Sequence, residues 1–231
     1  MRKINFCCLL PLASLILAGC ITTQPPSVIS LNSYQWHQHE QKLQQIEQFQ
    51  VSGSIAYFSE KQKTYARFFW QQHSEKNYRL LLTNPLGTIE FELRVQPEFT
   101  LLIDNRGKRH FSKNPQEIIQ RLTGMWIPLD NLHQWMLGLP GKSQSHNFTL
   151  DNQYRLKQIN YRQADQIWSV NYQSYTEGST PLPKRIELKT QAGKKRIKLK
   201  IDSWKLHPQS LNSDESPQPT TRTTTKAKGI A

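Results

Sequence analysis

From Phe49 onward the chain alternates apolar and polar side chains with a period of two. Phe49, Val51, Ile55 and Tyr57 alternate with Gln50, Ser52, Ser54 and Ala56. Ala66, Phe68 and Trp70 share one face of the next run, and Tyr78, Leu80 and Leu82 share one face of the third. In the fourth, Ile89, Phe91, Leu93 and Val95 alternate with Thr88, Glu90, Glu92 and Arg94. Successive strand side chains point to opposite faces, so each run predicts a strand with one buried face. FTLLID (99–104) and KRHF (108–111), separated by Asn105-Arg106-Gly107, predict another hairpin. Four or five further strands follow, the clearest at 153–162, 165–174, 183–190 and 195–204.

Three stretches switch to a helical period. In residues 34–48, Trp36, Leu43 and Ile46 are spaced for one narrow apolar stripe among Gln, His, Glu and Lys. In NPQEIIQRLTG (114–124), Asn114 is placed to cap and Pro115 takes the first helical position. Glu117 gives a capping-box-like start, and Gly124 supplies the stop. A short helix is expected at 130–137, carrying Leu132, Trp135 and Met136 and ending at Gly138. The order is therefore helix, many antiparallel strands, two helices, more strands, with no internal repeat. Short connections make most strands sequential neighbours. About ten or eleven strands in about 155 residues predict a mainly β fold with helices (α+β). One strongly curved antiparallel sheet is expected, with about three helices able to cover its concave face.

Residues 80–93, LLLTNPLGTIEFEL, contain Asn84-Pro85-Leu86-Gly87, with Asn, Pro and Gly where a type I turn favours them. A four-residue loop would set Leu82 opposite Ile89, Leu80 opposite Phe91 and Tyr78 opposite Leu93 on one face. Arg79 would then face Glu92 on the other. Nothing in the turn requires a leucine at its tip, where Leu86 would be surrounded by water. A single exposed leucine is ordinary, so its meaning depends on what the rest of the chain is.

The first residues, MRKINFCCLLPLASLILAGC, bear on that. Arg2 and Lys3 precede an uncharged, mostly apolar run from Ile4 to Leu17 that is too short to span a bilayer comfortably. Residues 1–19 read as a signal peptide. Leu17-Ala18-Gly19-Cys20 resembles the lipobox of bacterial lipoproteins, in which the cysteine receives a diacylglycerol and, after cleavage, an N-acyl chain; the other reading is an ordinary signal that happens to contain a cysteine. Cys7 and Cys8 leave with the signal, so Cys20 is the mature chain's only cysteine and no internal disulfide is expected. Ile21 stands where an aspartate in enterobacterial lipoproteins signals inner-membrane retention, so that resemblance implies the outer membrane. Residues 20–33, with a Pro-Pro break, read as a lipidated polar tether, and 207–231, rich in Thr, Pro and Lys, as a disordered tail.

The formal charge is +13. The signal holds two of those charges and the tail one, leaving about +10 on the body. Such a balance favours acidic partners or anionic head groups; nucleic acid is not expected to meet a secreted, lipid-anchored chain. Lys184, Arg185, Lys189, Lys194, Lys195, Arg196, Lys198, Lys200 and Lys205 crowd the final hairpin, opposed by Glu187 and Asp202. Arg196, Lys198 and Lys200 alternate with Ile197, Leu199 and Ile201 and so line one outer face. Lys194, Arg196, Lys198 and Lys200 are candidates for docking an acidic carrier or phospholipid head groups; the alternative is lysine protection of an edge strand.

Catalytic patterns are scarce. There is no Gly-x-Ser-x-Gly elbow. Gly141-Lys142-Ser143 ends like a phosphate loop, but the opening position is Met136. His37 and His39, two apart on a helix, point in different directions. No metal, cofactor or catalytic residue is expected. Aromatics such as Trp36, Phe68, Trp70, Phe91, Trp126, Trp135 and Trp168 fall on apolar faces, as ordinary core packing or as the walls of a greasy cavity.

Three segments carry a family resemblance: YRLLLTNPLGTIEFEL (78–93), RLTGMWIPLDNLHQWMLGLPG (121–141) and RIKLKIDSWKL (196–206). They closely resemble the LolB family of outer-membrane lipoprotein receptors over about residues 34–206. The resemblance implies an unclosed β-barrel with helices plugging its mouth and a hydrophobic cavity for acyl chains. The candidate lining is Phe68, Trp70, Leu80, Leu82, Ile89, Phe91, Leu93, Ile118, Leu122, Trp135 and Trp168. It further implies that the chain accepts acylated lipoproteins from the periplasmic carrier LolA and delivers them to outer-membrane phospholipid, as a monomer lipid-anchored through Cys20 in the periplasmic leaflet. The family ties the leucine of the Asn-Pro-Leu-Gly loop to membrane insertion, which maps onto Leu86. The rival readings are an envelope enzyme acting on lipid or peptidoglycan and a passive structural lipoprotein.

Overall fold

The computed structural model describes residues 33–141, 148–163 and 166–207. The signal segment, Cys20, the tether, Lys142-Ser143 and the tail from 208 lie outside the described residues. Helix α1 (Tyr34–Gln44) leads into six strands: β1 (Gln48–Ser59), β2 (Lys63–Ser74), β3 (Asn77–Thr83), β4 (Ile89–Val95), β5 (Thr100–Asp104) and β6 (Arg109–Ser112). Helices α2 (Pro115–Thr123) and α3 (Leu129–Leu137) follow. Then come β7 (Phe148–Leu150), β8 (Leu156–Gln163), β9 (Gln166–Tyr175), β10 (Pro183–Thr190) and β11 (Lys195–His207).

The eleven strands form one antiparallel sheet in the order β6-β5-β4-β3-β2-β1-β11-β10-β9-β8-β7. Two meanders are joined at a seam, β1 on β11, whose strands are the one neighbouring pair not consecutive in sequence. The edges are β6 and β7, and α2 and α3 fall between them in the chain. α2 rests on β5 and β6, and α3 touches α2 and β10. The sheet is thus an unclosed barrel with helices set over its interior, and the buried apolar side chains of sheet and helices form a single core. Because β10 and β11 sit mid-sheet, edge protection does not explain their lysines.

Local chemistry sets the ends of the elements. Ser33 Oγ accepts from Trp36 N at α1, and Asn114 Oδ1 accepts from Gln116 N and Glu117 N at α2. The capping box does not close, because Asn114 N donates to Ser112 Oγ instead. The helix expected over 34–48 stops at Gln44: Gln48 is already paired with His207, so Ile46 packs from a turn. The strand expected from 153 starts at Leu156, because Asp151 Oδ1 accepts from Gln153 N and Arg155 N and holds the chain in a turn.

The β3–β4 pairing departs from expectation by two residues. Leu82 faces Phe91, Leu80 faces Leu93 and Tyr78 faces Val95. Thr88 joins the loop, through Asn84 N donating to Thr88 O at 2.8 Å, and the register shifts between Leu82 and Thr83. A slip of two leaves every side chain on its expected face. Arg79 now stands opposite Arg94, and Glu92 bridges both, at 2.7 Å from Arg79 Nε and 2.6 Å from Arg94 Nε.

Candidate functional site

Antiparallel alternation gathers the β1–β2, β3–β4, β5–β6 and β10–β11 turns at one end of the barrel. The C-terminus of α2 is tied to the same end, where Gln62 Nε2 donates to Thr123 O. The β3–β4 loop is closed by its own hydrogen bonds. Asn84 Oδ1 accepts from Leu86 N and Thr88 N, both at 3.0 Å, and Gly87 N donates to Asn84 O while taking φ +92°. Asn84 therefore supplies most of the loop's closing bonds, Pro85 fixes one φ, and Gly87 takes a left-handed conformation that a side chain resists. This frame holds Leu86 out with 91% of its surface in solvent.

Of the expected lining residues, Phe68, Trp70, Leu80, Leu82, Phe91, Leu93, Ile118, Trp135 and Trp168 all face the interior and are buried there. Two do not join them. Ile89 begins β4 at the rim and is 47% exposed; Leu122, in the last turn of α2, is 38% exposed. Alternation assigned Ile89 the right face but could not show that the rim leaves it uncovered. Beside these residues, between α2 and the ends of β3 to β5, lies a groove of about 460 Å³. Its apolar walls are Leu82, Phe91, Leu102, Leu122 and Met125, and Glu90, Asp104, Arg106 and Lys108 stand around it.

The interior below is rich in paired rings. Trp70 stacks on Tyr78 at 4.6 Å, Trp126 on Trp168 at 5.0 Å, and Trp135 meets Tyr161 edge-on at 5.2 Å. Three indole N–H groups donate inside the fold: Trp70 to Gln72 Oε1, Trp135 to Pro140 O and Trp204 to Pro183 O. Trp168 Nε1 is buried with no acceptor among the described residues. Burial raises the Tyr78 phenol, with a smaller push from Asp130, and raises Tyr172, whose hydroxyl donates to Trp135 O. Both remain neutral at ordinary pH, so the interior carries no charge from them.

The outer face is basic. Arg196, Lys198 and Lys200 project outward between buried Ile197, Leu199 and Ile201. Lys194, in the β10–β11 turn, pairs with Glu60 at 3.5 Å. The Arg196 guanidinium lies 4.7 Å over the Phe58 ring, and Lys195 Nζ 5.6 Å over Trp126. These cations reach the same end as the loop.

A helix-covered, unclosed antiparallel barrel with an apolar interior is the LolA-like class of fold. A LolA-superfamily protein from Nitrosomonas europaea shares it with a TM-score of 0.51 at 13% identity, over 74% of this chain and 93% of that one. Within that class, the family described as "Outer membrane lipoprotein LolB" matches residues 47–204. The outer-membrane lipoprotein LolB of Yersinia enterocolitica is 59% identical over 205 residues, covering 88% of this chain and 97% of that one. Its counterpart in Serratia proteamaculans is 55% identical over 207 residues, covering 89% and 98%. The chain belongs to the LolB family of outer-membrane lipoproteins.

Proposed function

We propose that this chain is an outer-membrane receptor that takes acylated lipoproteins from a soluble LolA carrier and inserts them into phospholipid without covalent chemistry. Exposing a triacylated anchor to water would cost roughly 30 kcal/mol at ~0.8 kcal/mol per methylene, so cargo has to move between apolar surfaces without release. The observation that carries the reading is Leu86, held out in solvent by a hydrogen-bonded polar loop at the same end as the groove beside the C-terminus of α2. Acyl chains would enter beside Leu122 and displace α2 from the interior residues it covers. Lys194 and Arg196, at that end, would draw an acidic carrier to the mouth. Cys20, bearing N-acyl and S-diacylglycerol groups, would hold a monomer on the periplasmic leaflet, with residues 21–33 as its tether.

Leu86→Glu tests this. The substitution lies in solvent, so stability should change by under about 0.5 kcal/mol. A carboxylate entering hydrocarbon is costly, so the variant should accept radiolabelled lipoprotein from the carrier normally and fail to pass it to liposomes. Normal delivery would reduce Leu86 to a surface leucine. Failure at acceptance would place the loop in carrier or cargo binding, and turnover of lipid would make the protein an enzyme.

A further inference from the structure

The convex face of the sheet, away from the acyl-binding interior, holds a second concavity. The register aligns Arg67 of β2, Ser54 of β1, Lys200 of β11 and Arg185 of β10 in one row across the strands. The next row runs Tyr65, Ala56, Lys198 and Glu187. Ser54 and Ala56 are too short to reach the height of their neighbours, so β1 forms the floor of a trough between two walls of long side chains. Tyr65 and Arg67 make one wall; Lys198, Lys200 and Arg185 make the other. The trough measures about 550 Å³, and Pro85 of the leucine-tipped loop closes one side of it.

Its charges do not cancel. Asp202 lies 3.0 Å from Lys200 and 3.9 Å from Arg67; Glu187 lies 3.7 Å from Lys198 and 3.0 Å from Lys189, a lysine beyond the trough. Four cations on the trough thus face two carboxylates. The Asp202 pairs are solvent-exposed, and such pairs are weak and exchange readily for another anion; Glu187 is buried beneath Lys198 and leaves that ammonium half-exposed on the wall. Tyr65 is 58% exposed on the wall, an amphipathic ring suited to a membrane–water boundary, and Leu86 is one residue beyond Pro85.

We infer that this trough is a binding site for the phosphate head group of an anionic phospholipid in the membrane that carries the protein. The inference rests on the reading of Leu86 as a membrane probe. With Leu86 in hydrocarbon, Pro85 sits at head-group depth, and the adjoining guanidinium and ammonium groups meet lipid phosphates there. Arg67 and Arg185 supply planar donor forks, Lys198 and Lys200 mobile point charges. The trough fixes which face of the sheet lies against the bilayer, and therefore how the barrel mouth is presented to it.

The test uses the full lipidated chain in vesicles of phosphatidylcholine, with or without phosphatidylglycerol, and needs no cargo. A pulse of an amine-acetylating reagent, read residue by residue by mass spectrometry, reports access to Lys198 and Lys200. Phosphatidylglycerol should slow both roughly tenfold, the scale of one to two charges at an anionic surface. High salt should restore the rates, and Lys113, at the opposite end of the barrel, should not change. Arg67→Gln with Arg185→Gln should remove most of the protection while the circular dichroism spectrum stays that of wild type. Equal rates at Lys198 and Lys200 in both vesicles would overturn the inference. So would protection that arises only on adding the soluble carrier, which would assign the trough to protein docking. Acceptance of lipoprotein is measured on the same vesicles. Its absence beside intact protection would sink the transfer reading and leave the head-group site standing.

Discussion

Replacing Gly53 with alanine tests whether the seam between β1 and β11 holds the two meanders together. The register slips there: Ser52 faces Ser203, but Gly53 faces Ile201. A methyl group on Gly53 would lie 2.1 Å from the carbonyl oxygen of Lys200 and 3.0 Å from Ile201 Cα, whereas ordinary contact begins near 3.4 Å. Both obstacles are backbone in mid-strand and cannot rotate aside, so the strands have to part by about 1 Å. That loses one or two ladder hydrogen bonds at about 0.5–1.5 kcal/mol each and loosens the core beneath, for a total of about 3 kcal/mol. This is a large share of the roughly 5–15 kcal/mol that holds a typical domain folded. Urea denaturation followed by tryptophan fluorescence gives the value, with Gly87→Ala as the control. Gly87 has φ +92° but open space around its missing Cβ, so only backbone strain of roughly 1–2 kcal/mol applies there. If Gly53→Ala costs no more than Gly87→Ala, the close approach at the seam is not what Gly53 provides.

Two indoles should respond unequally to loss of their N–H. Either Trp→Phe change leaves a cavity in the core, but Trp70→Phe also strands the buried Gln72 Oε1, at about 1–3 kcal/mol more, whereas Trp168→Phe removes a donor that has no acceptor and should cost the cavity alone; the reverse order would mean that Trp168 has a partner. For Glu92, burial pushes the carboxyl up, but Arg79 and Arg94 outweigh it and hold it below the usual carboxylate range. A depressed carboxylate contributes stability fully above its unfolded value near 4.5 and loses it as pH falls through the folded value. Glu92→Gln should therefore be less stable at pH 7 and show a flatter acid limb in urea titrations run from pH 7 to 3, and superimposable limbs would exclude the ion pair as the cause.

The alternation from Phe49 onward was enough to assign faces, because parity survives any slip of two residues. It could not reveal the slip itself: Thr88 enters the loop through backbone bonds to Asn84, which leave no mark on hydrophobicity. The same blindness hid Ile89 and Leu122, whose exposure depends on where the rim ends rather than on which face they occupy. Local pairing rules predict the two meanders but not the contact between β1 and β11, which brings residue 48 against 207 and turns the lysine-rich hairpin into the middle of the sheet. The tip leucine was legible because Asn, Pro and Gly around it fix the turn on their own. The role of Asn84 Oδ1 in bonding two amides, and the lack of an acceptor for Trp168, need coordinates.

The closed interior constrains how such a receptor would work. Ile118 and Trp135 are buried against sheet residues and Trp168 of β9 is buried under Trp126, so acyl chains that enter must take over contacts that side chains now make with one another. Apolar area lost between helix and sheet is replaced by area gained against the chain, and the exchange lies near balance compared with the roughly 30 kcal/mol of exposing the anchor to water. Near balance suits an intermediate that must both accept and release. Release then depends on what lies beyond the rim. Leu122, the groove and Leu86 occupy one end of the barrel, so an acyl chain leaving there passes from groove to rim to loop. With the loop in lipid, that route contains no water-exposed step. If the amino terminus is lipid-anchored as proposed, it would keep the bilayer within reach, so Leu86 would need only enough affinity to orient the mouth, and one or two side chains would suffice.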